Sequence, residues 1–372
     1  MRILHISSAQ ALGGGERHLV DLVKGLALRG HDLFVAVRPN SPLRGELTSL
    51  PTENFLEVPL RNALDAKSAA KLTHFVAEQK IEIVHAHMAR DYPLAAYATR
   101  RHEAAKLILT RHVLFPLSRL HKFTLSGAAR VIAVSEAVAR QLQAQRLISD
   151  GKITVVHNGI DFSRFETKGP TDRERFRTEK GLPGDCLLVG TVGELTPLKG
   201  HRDFLHAAAQ LRREFSAAYF IIAGVDVTPG QANLSDLKQL IQKLELHERV
   251  RLLGRIPDIT DLYRALDIFV SASHTESFGL AIVEAMAAGT AVVATKTDGA
   301  QEIVHEGETG LLVPIADVDA LARSVGVLLC DEARRTNIGS RARDVVSERF
   351  RLERMVVATE KIYREVLEDT AN

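Results

Sequence analysis

Tryptophan is absent from the 372 residues, aromatic residues make up 5%, and cysteine occurs twice, at Cys186 and Cys330. Scarce aromatics argue against a surface that stacks single-stranded nucleic acid bases. Two isolated thiols form neither a disulfide framework nor a zinc site. Both read as small buried hydrophobes. No stretch approaches ~20 uninterrupted apolar residues, which excludes a transmembrane helix. The opening Met1-Arg2-Ile3-Leu4-His5-Ile6-Ser7 has an apolar run too short for a secretory signal, and no small-residue cleavage site follows it. The expectation is a cytoplasmic protein without low-complexity segments.

What is present is the balance of an ordinary globular protein, 45% hydrophobic and 25% charged. At roughly 100–200 residues per domain, the length suggests two domains. Net charge is +2 but unevenly divided. Residues 1–165 carry 22 Lys and Arg against 14 Asp and Glu, while residues 166–372 carry 26 against 32. A basic half joined to an acidic half suggests two jobs, the basic one facing an anionic partner; a harmless surface bias is the alternative.

Short apolar runs alternate with amphipathic stretches, the signature of a parallel sheet covered on both faces. Strands are expected at residues 2–7, 32–37, 81–85, 106–109, 130–134 and 153–156. Leu19, Val20, Leu22, Val23, Leu26 and Ala27 line one helical face, and Gly30 stands where a C-cap belongs. A segment rich in charge, Gly and Pro, residues 166–185, reads as a linker running into a helix. The rhythm restarts with strands at 186–192, 219–223, 250–253, 268–271, 291–295 and 310–313 and with helices at 234–244 and 279–288. A last amphipathic helix runs from Arg351 to Asp369. Two doubly wound domains in tandem would place ligands outside the carboxyl ends of their strands, with the two edges facing across a cleft.

Three segments after strands carry candidate chemistry. Gly13-Gly14-Gly15-Glu16 precedes a helix expected to open at Arg17. Adjacent glycines let backbone amides approach a ligand, and a helix start favours an anion. The spacing matches neither the dinucleotide fingerprint nor a Walker loop, and a simple tight turn remains the alternative. In Gly193-Glu194-Leu195-Thr196-Pro197-Leu198-Lys199-Gly200, the Lys199 ammonium could neutralise a diphosphate or be one surface lysine among many. The most specific segment is His274-Thr275-Glu276-Ser277-Phe278-Gly279-Leu280, followed by a helix carrying Glu284. It offers two carboxylates for sugar hydroxyls and amides for phosphate oxygens. Alternatively, Glu276 caps a helix and Glu284 is solvated. Ala281, Ile282, Val283, Ala285 and Met286 make that helix apolar nearly all round, so Glu284 should be semi-buried and need a partner.

Together these segments resemble the retaining nucleotide-sugar glycosyltransferases of family 4, with the two-domain GT-B fold. The resemblance runs over nearly the whole chain. It includes Val134-Ser135-Glu136-Ala137-Val138, His157-Asn158-Gly159-Ile160-Asp161, Thr297-Asp298-Gly299-Ala300-Gln301-Glu302 and Gly307-Glu308-Thr309-Gly310-Leu311-Leu312-Val313. It implies an acceptor-binding Rossmann-like domain over 1–166, a donor-binding one over 167–350, and a C-terminal helix, about 351–372, returning to the first. Glu284 would hold the donor ribose and Glu276 the transferred sugar. Amides at Phe278, Gly279 and Leu280 would bind sugar or diphosphate, and Lys199 would neutralise the diphosphate as it leaves. Gly14 and Gly15 would meet the phosphates. His112 would lie near donor sugar and acceptor, unless it is only a structural residue at a strand end. Glu16 and Arg111 fall beside it on the acceptor side. Arg255 and Ile256 would present backbone to the base.

The resemblance further implies a hexosyl transfer that needs no metal or other cofactor. The acceptor hydroxyl attacks the face the diphosphate leaves, through an oxocarbenium-like state. UDP-sugar is the first expectation for the donor and GDP-sugar the second. One departure stands out. Glu194 occupies a position where the family usually has an arginine, and a carboxylate facing a diphosphate is unfavourable unless it turns away.

Seven basic residues between Arg100 and Arg130 interleave with Leu114, Phe115, Leu117, Leu120 and Phe123, and Glu103 is the one acid among them. This stretch is either an ordinary packed helix or a weak membrane-surface contact. The acceptor is expected to be a glycan or lipid-linked glycan of polysaccharide or lipopolysaccharide synthesis, met by a peripheral enzyme on the inner membrane face. Three alternatives stay open. One is a nucleotide-sugar epimerase on the same fold, and another a non-catalytic nucleotide-sugar-binding protein. Nucleic-acid binding by the basic half is disfavoured by the scarce aromatics and near-neutral total.

Overall fold

The protein is described by a computed structural model covering residues 1–166, 171–256 and 258–369. It forms two compact α/β units. One comprises Met1–Gly159 together with the C-terminal helix Leu352–Glu368, and the other spans Ile160–Arg351. Of the linker expected at 166–185, residues 167–170 lie outside the described residues. The helix Thr171–Glu179 follows them. The end of the expected C-terminal helix, from residue 370 on, also lies outside.

The first unit is built on seven strands: β1 (Arg2–Ser7), β2 (Asp32–Val37), β3 (Phe55–Glu57), β4 (Ile83–Ala86), β5 (Lys106–Arg111), β6 (Arg130–Ala133) and β7 (Ile153–Val155). They pair in the order β3-β2-β1-β4-β5-β6-β7, all parallel. The second unit has six: β8 (Leu187–Val192), β9 (Ala218–Ala223), β10 (Val250–Gly254), β11 (Ile268–Ser271), β12 (Ala291–Thr295) and β13 (Leu311–Val313). Their order is β10-β9-β8-β11-β12-β13, again all parallel. This is the expected α/β class with two doubly wound units. Central strands such as β1 and β11 are buried along nearly their whole length. Helices cover both faces, so these strands have no solvent side to mark with polar residues.

Three details differ from the expectation. β3 has only three residues at the sheet edge, with Phe55 and Leu56 half-buried and Glu57 exposed, too short to show a period. The first helix starts at Gly14 rather than Arg17. The Glu16 carboxylate accepts a hydrogen bond from the Gly13 amide at 2.9 Å, which closes the first turn over the glycines. Cys330, expected to be buried, ends the helix Val318–Cys330 on an exposed position; Cys186 is buried.

The C-terminal helix is held to the first unit by charge as well as by its apolar face. The buried Glu360 carboxylate accepts from Arg364 at 2.7 Å, from Arg29 at 2.6 Å, and pairs with His31 at 2.9 Å. These partners, Arg364 foremost, hold its carboxyl down at about 2. Farther along the helix, the buried Tyr363 hydroxyl lies 2.6 Å from His85 Nδ1 on β4.

Candidate functional site

In the second unit the winding reverses between β8 and β11, the place where diverging loops leave a crevice in an open parallel sheet. The loop after β8 passes through a short 3-10 turn, Pro197–Lys199, into the helix His201–Leu211. The loop after β11 runs to the helix Leu280–Ala287. Gly200 joins the two loops. It has φ +64°, and a Cβ there would stand 1.9 Å from the Ala272 carbonyl oxygen. The His274 amide donates to the Leu198 carbonyl at 2.8 Å. The result is a close ion pair, Lys199 Nζ to Glu276 Oε2 at 2.6 Å, with both side chains partly exposed. Ser273 lies at 3.4 Å from the same carboxylate oxygen.

Glu276 therefore does not cap the following helix. The N-cap position is Gly279, with φ +104° and no side-chain cap. The first turn of any helix leaves amides without intrahelical acceptors, and here those amides follow directly on Glu276 and Ser277. Gly299 packs the start of the helix Asp298–Ile303 onto this loop. Its amide donates to the Glu276 carbonyl at 3.0 Å, and a Cβ would come within 2.5 Å of the Phe278 carbonyl oxygen. Phe278 itself points into the core against Phe350, with ring centroids 5.4 Å apart, so this residue offers only its backbone.

Glu284 is 8% exposed, and its Oε2 accepts from the Tyr263 hydroxyl at 2.8 Å. The solvated alternative is thus excluded. Glu194 is exposed to solvent; its carbonyl accepts from His201 Nε2 at 3.1 Å. Burial lowers the His201 pKa to about 4, so this imidazole is neutral and leaves Lys199 as the cation beside the loop. Arg255 is exposed and Ile256 half-buried, just past the end of β10.

The first unit has its own reversal between β1 and β4. After β1, the Ser8 amide donates to Asp91 Oδ2 at 2.8 Å. His87 follows β4, His112 follows β5, and His18 lies on the helix Gly14–Leu28. His112 stands over Gly15, where a Cβ would meet its ring at 3.5 Å. Arg111 is buried and donates to the Phe115 carbonyl.

Two family models account for most of the chain. Residues 12–164 match Glycosyltransferase Family 4, and residues 172–345 match Glycosyl transferases group 1. A lipopolysaccharide core biosynthesis mannosyltransferase, LpcC, of Rhizobium leguminosarum is 33% identical over 73% of this chain and 78% of its own. The chain belongs to glycosyltransferase family 4. The family 4 likeness extends along the full length. N-acetyl-alpha-D-glucosaminyl L-malate synthase of Bacillus anthracis is 27% identical over 99% of this chain and 98% of its own. The crystal structure of Anabaena HepE with UDP superposes with a TM-score of 0.86 at 25% identity, covering 98% of this chain and all of that one. These neighbours are GT-B glycosyltransferases, and the two parallel sheets found here have that fold.

The structure brings Lys199 and Glu276 into contact and places Gly279, Leu280 and Glu284 on the same loop and helix. It brings Gly15 and His112 together in the first unit. It directs Glu16 to its own helix start and Arg111 to a nearby carbonyl, so both serve local structure in this state. Residue types alone do not single out Asp91 or the buried histidines His5, His18, His85 and His87. A His-x-His pair closing an apolar strand, with an Asp four residues on, was the available signal.

Asp91 is 1% exposed, and burial raises its carboxyl to about 6, against the opposing hydrogen bonds from Ser8 and the charges of Arg90 and Arg38. Its folded pKa lies above the unfolded value, so the protonated form is favoured in the fold. The stability this gives is complete below about pH 4 and is lost as pH rises through about 6. Asp91→Asn should therefore flatten the pH dependence of thermal stability across that window. Scanning calorimetry at several pH values reads it; an unchanged slope would mean Asp91 stays ionised.

Proposed function

We propose that this glycosyltransferase is a retaining hexosyltransferase. It would move a sugar from a nucleoside diphosphate sugar, UDP-sugar first and GDP-sugar second, to a hydroxyl of a glycan or lipid-linked glycan. The observation that carries this reading is the Lys199–Glu276 pair at the β8/β11 reversal, beside a helix start and the buried Glu284. A cation, amides and two carboxylates suit a diphosphate, a sugar and a ribose. The crystal structures of Anabaena HepE with UDP and with UDP-glucose support uridine, and the LpcC mannosyltransferase supports a polysaccharide or lipopolysaccharide product.

Lys199 and the amides of Phe278, Gly279 and Leu280 take up charge that develops on the leaving diphosphate. Glu276 accepts from sugar hydroxyls, and Glu284 from the ribose diol. Arg255 and Ile256 present backbone to the base. In the first unit, Gly14 and Gly15 serve the phosphates, and His112 with Arg111 and Glu16 forms the acceptor side. The acceptor oxygen bonds to the anomeric carbon as the bond from that carbon to the diphosphate oxygen breaks. A phosphate oxygen takes the acceptor proton, and nucleoside diphosphate departs. No metal is required in this course.

The acceptor side also suits a cytoplasmic enzyme peripheral to the inner membrane face. Phe115, Leu120 and Phe123 are 57%, 77% and 72% exposed, among the exposed Arg100, Arg119 and Lys122. Apolar side chains ringed by cations are what an anionic lipid surface takes up. No helix among the described residues is long and apolar enough to cross a membrane.

The deciding experiment supplies UDP- and GDP-sugars with glycan acceptors, without divalent metal, and follows the product by NMR. A new glycoside with the donor's anomeric configuration is expected. Nucleotide release without glycoside would favour the epimerase, and binding without turnover the non-catalytic protein. Vesicles with anionic lipid at low salt should retain the enzyme; equal retention by Phe123→Ser and Leu120→Ser variants would remove the membrane contact.

A further inference from the structure

Five histidines converge beneath the β1/β4 reversal of the first unit. The innermost, His85, is already committed at both ring nitrogens. His85 has Nδ1 2.6 Å from the Tyr363 hydroxyl and Nε2 2.6 Å from the Thr110 hydroxyl. His5 Nδ1 and His87 Nε2 lie 3.0 Å apart, within hydrogen-bond reach, while His5 Nε2 is buried without a hydrogen-bond partner among the described residues. The outward group is different. His87 Nδ1 is buried without a hydrogen-bond partner among the described residues, and so are both ring nitrogens of His18, with Asn158 near it but out of bonding geometry. One nitrogen each from His18, His87 and His112 lie within 4.8 Å of one another.

We propose that His18, His87 and His112 form a binding site for a borderline-soft divalent transition cation, zinc foremost. Three imidazoles with no carboxylate among them select nitrogen-preferring cations over magnesium or calcium. Burial holds His18 at about 4 and lowers His87 and His112 well below their ordinary value, so no imidazolium charge opposes a cation here. When His87 Nε2–H donates to His5 Nδ1, the His87 Nδ1 keeps its lone pair for a ligand, and His5 acts as the outer-shell acceptor of a metal-bound histidine. Zinc–nitrogen bonds of about 2 Å draw the three nitrogens to roughly 3.5 Å apart. Rotation of the half-buried His112 supplies the closing movement. A fourth tetrahedral position is left for water.

Occupancy has a consequence for catalysis, which rests on the transferase reading. A cation bound through His112 beside Gly15 removes that imidazole from the substrate, so zinc acts as a reversible inhibitor rather than a cofactor. The binding itself stands apart from that reading.

The test adds cobalt(II), then zinc with a competing chromogenic chelator, to the metal-stripped full chain. One tetrahedral cobalt spectrum per chain is expected, displaced by zinc with a Kd in the micromolar range or tighter. His18→Asn and His87→Asn should each weaken binding about 100-fold or more, and His5→Asn about tenfold. Thermal unfolding checks that each variant folds, and His112→Gln serves if His18→Asn does not. Absence of a tetrahedral spectrum overturns the site, as does an affinity unmoved in the folded variants. Inhibition by zinc that chelator does not reverse, with no cobalt spectrum, would mean adventitious precipitation.

Discussion

Lys199→Ala is expected to lower turnover at saturating donor by about 100-fold or more. Lys199 Nζ lies 2.6 Å from Glu276 Oε2, with both side chains partly exposed, so the pair is partly screened and adds modest stability. The ammonium is thus available to a stronger partner. A diphosphate carries more charge than a carboxylate and gains charge as the sugar departs. The lysine therefore binds the transition state more tightly than the ground state, which lowers kcat rather than raising KM when it is lost. Its departure toward phosphate also releases Glu276 for sugar hydroxyls. Lys199→Arg keeps the charge on a longer planar group and should recover only part of the rate. Glu194→Arg is the companion measurement. Glu194 is exposed and its side chain can turn to solvent, so nucleotide affinity should change by less than about tenfold. A loss below tenfold in Lys199→Ala would remove the lysine from the chemistry. A gain of orders of magnitude in Glu194→Arg would show that the missing arginine matters after all.

The central strands were legible because they are buried on both faces and show as short, largely apolar runs. β3 was not, since Phe55-Leu56-Glu57 lies at an edge with one face toward solvent. Chemistry was legible where backbone and side chain pointed the same way. Gly279 before a helix with Glu276 ahead of it is such a place, and Glu284 among apolar neighbours is another. The Lys199–Glu276 contact was not legible, because it depends on Gly200 letting the β8 loop touch Ala272, a long-range event with no local periodicity. The histidine group was hidden for a similar reason. His5, His18, His87 and His112 stand on different elements, and each alone looks like a core or strand-end histidine. Cys330 shows the opposite error: its residue type suggested burial, while its place at the end of a helix exposes it.

Glu284→Ala is expected to weaken nucleotide binding by about 100-fold or more, measured by calorimetry with UDP and with GDP and ADP as comparisons, without metal. Hydrogen bonds to a charged acceptor are worth about 1.5–3 kcal/mol each, and a ribose diol makes two. The difficulty is that Glu284 is buried and bonded to the Tyr263 hydroxyl, so the alanine variant also strands a buried hydroxyl at a cost of roughly 1–3 kcal/mol. Lost stability and lost binding could then be confused. The Tyr263→Phe change separates them. By itself it should leave affinity within about tenfold of the parent, because Tyr263 is fully buried and its hydroxyl meets the carboxylate from behind. Combined with Glu284→Ala, it removes the stranded hydroxyl. The double variant should regain part of the lost stability while nucleotide binding stays weak. Recovery of binding along with stability would make Glu284 a structural residue. Full affinity in Glu284→Ala alone would move the ribose to other groups, while absence of binding in the parent for every nucleotide would favour a protein that no longer uses a donor.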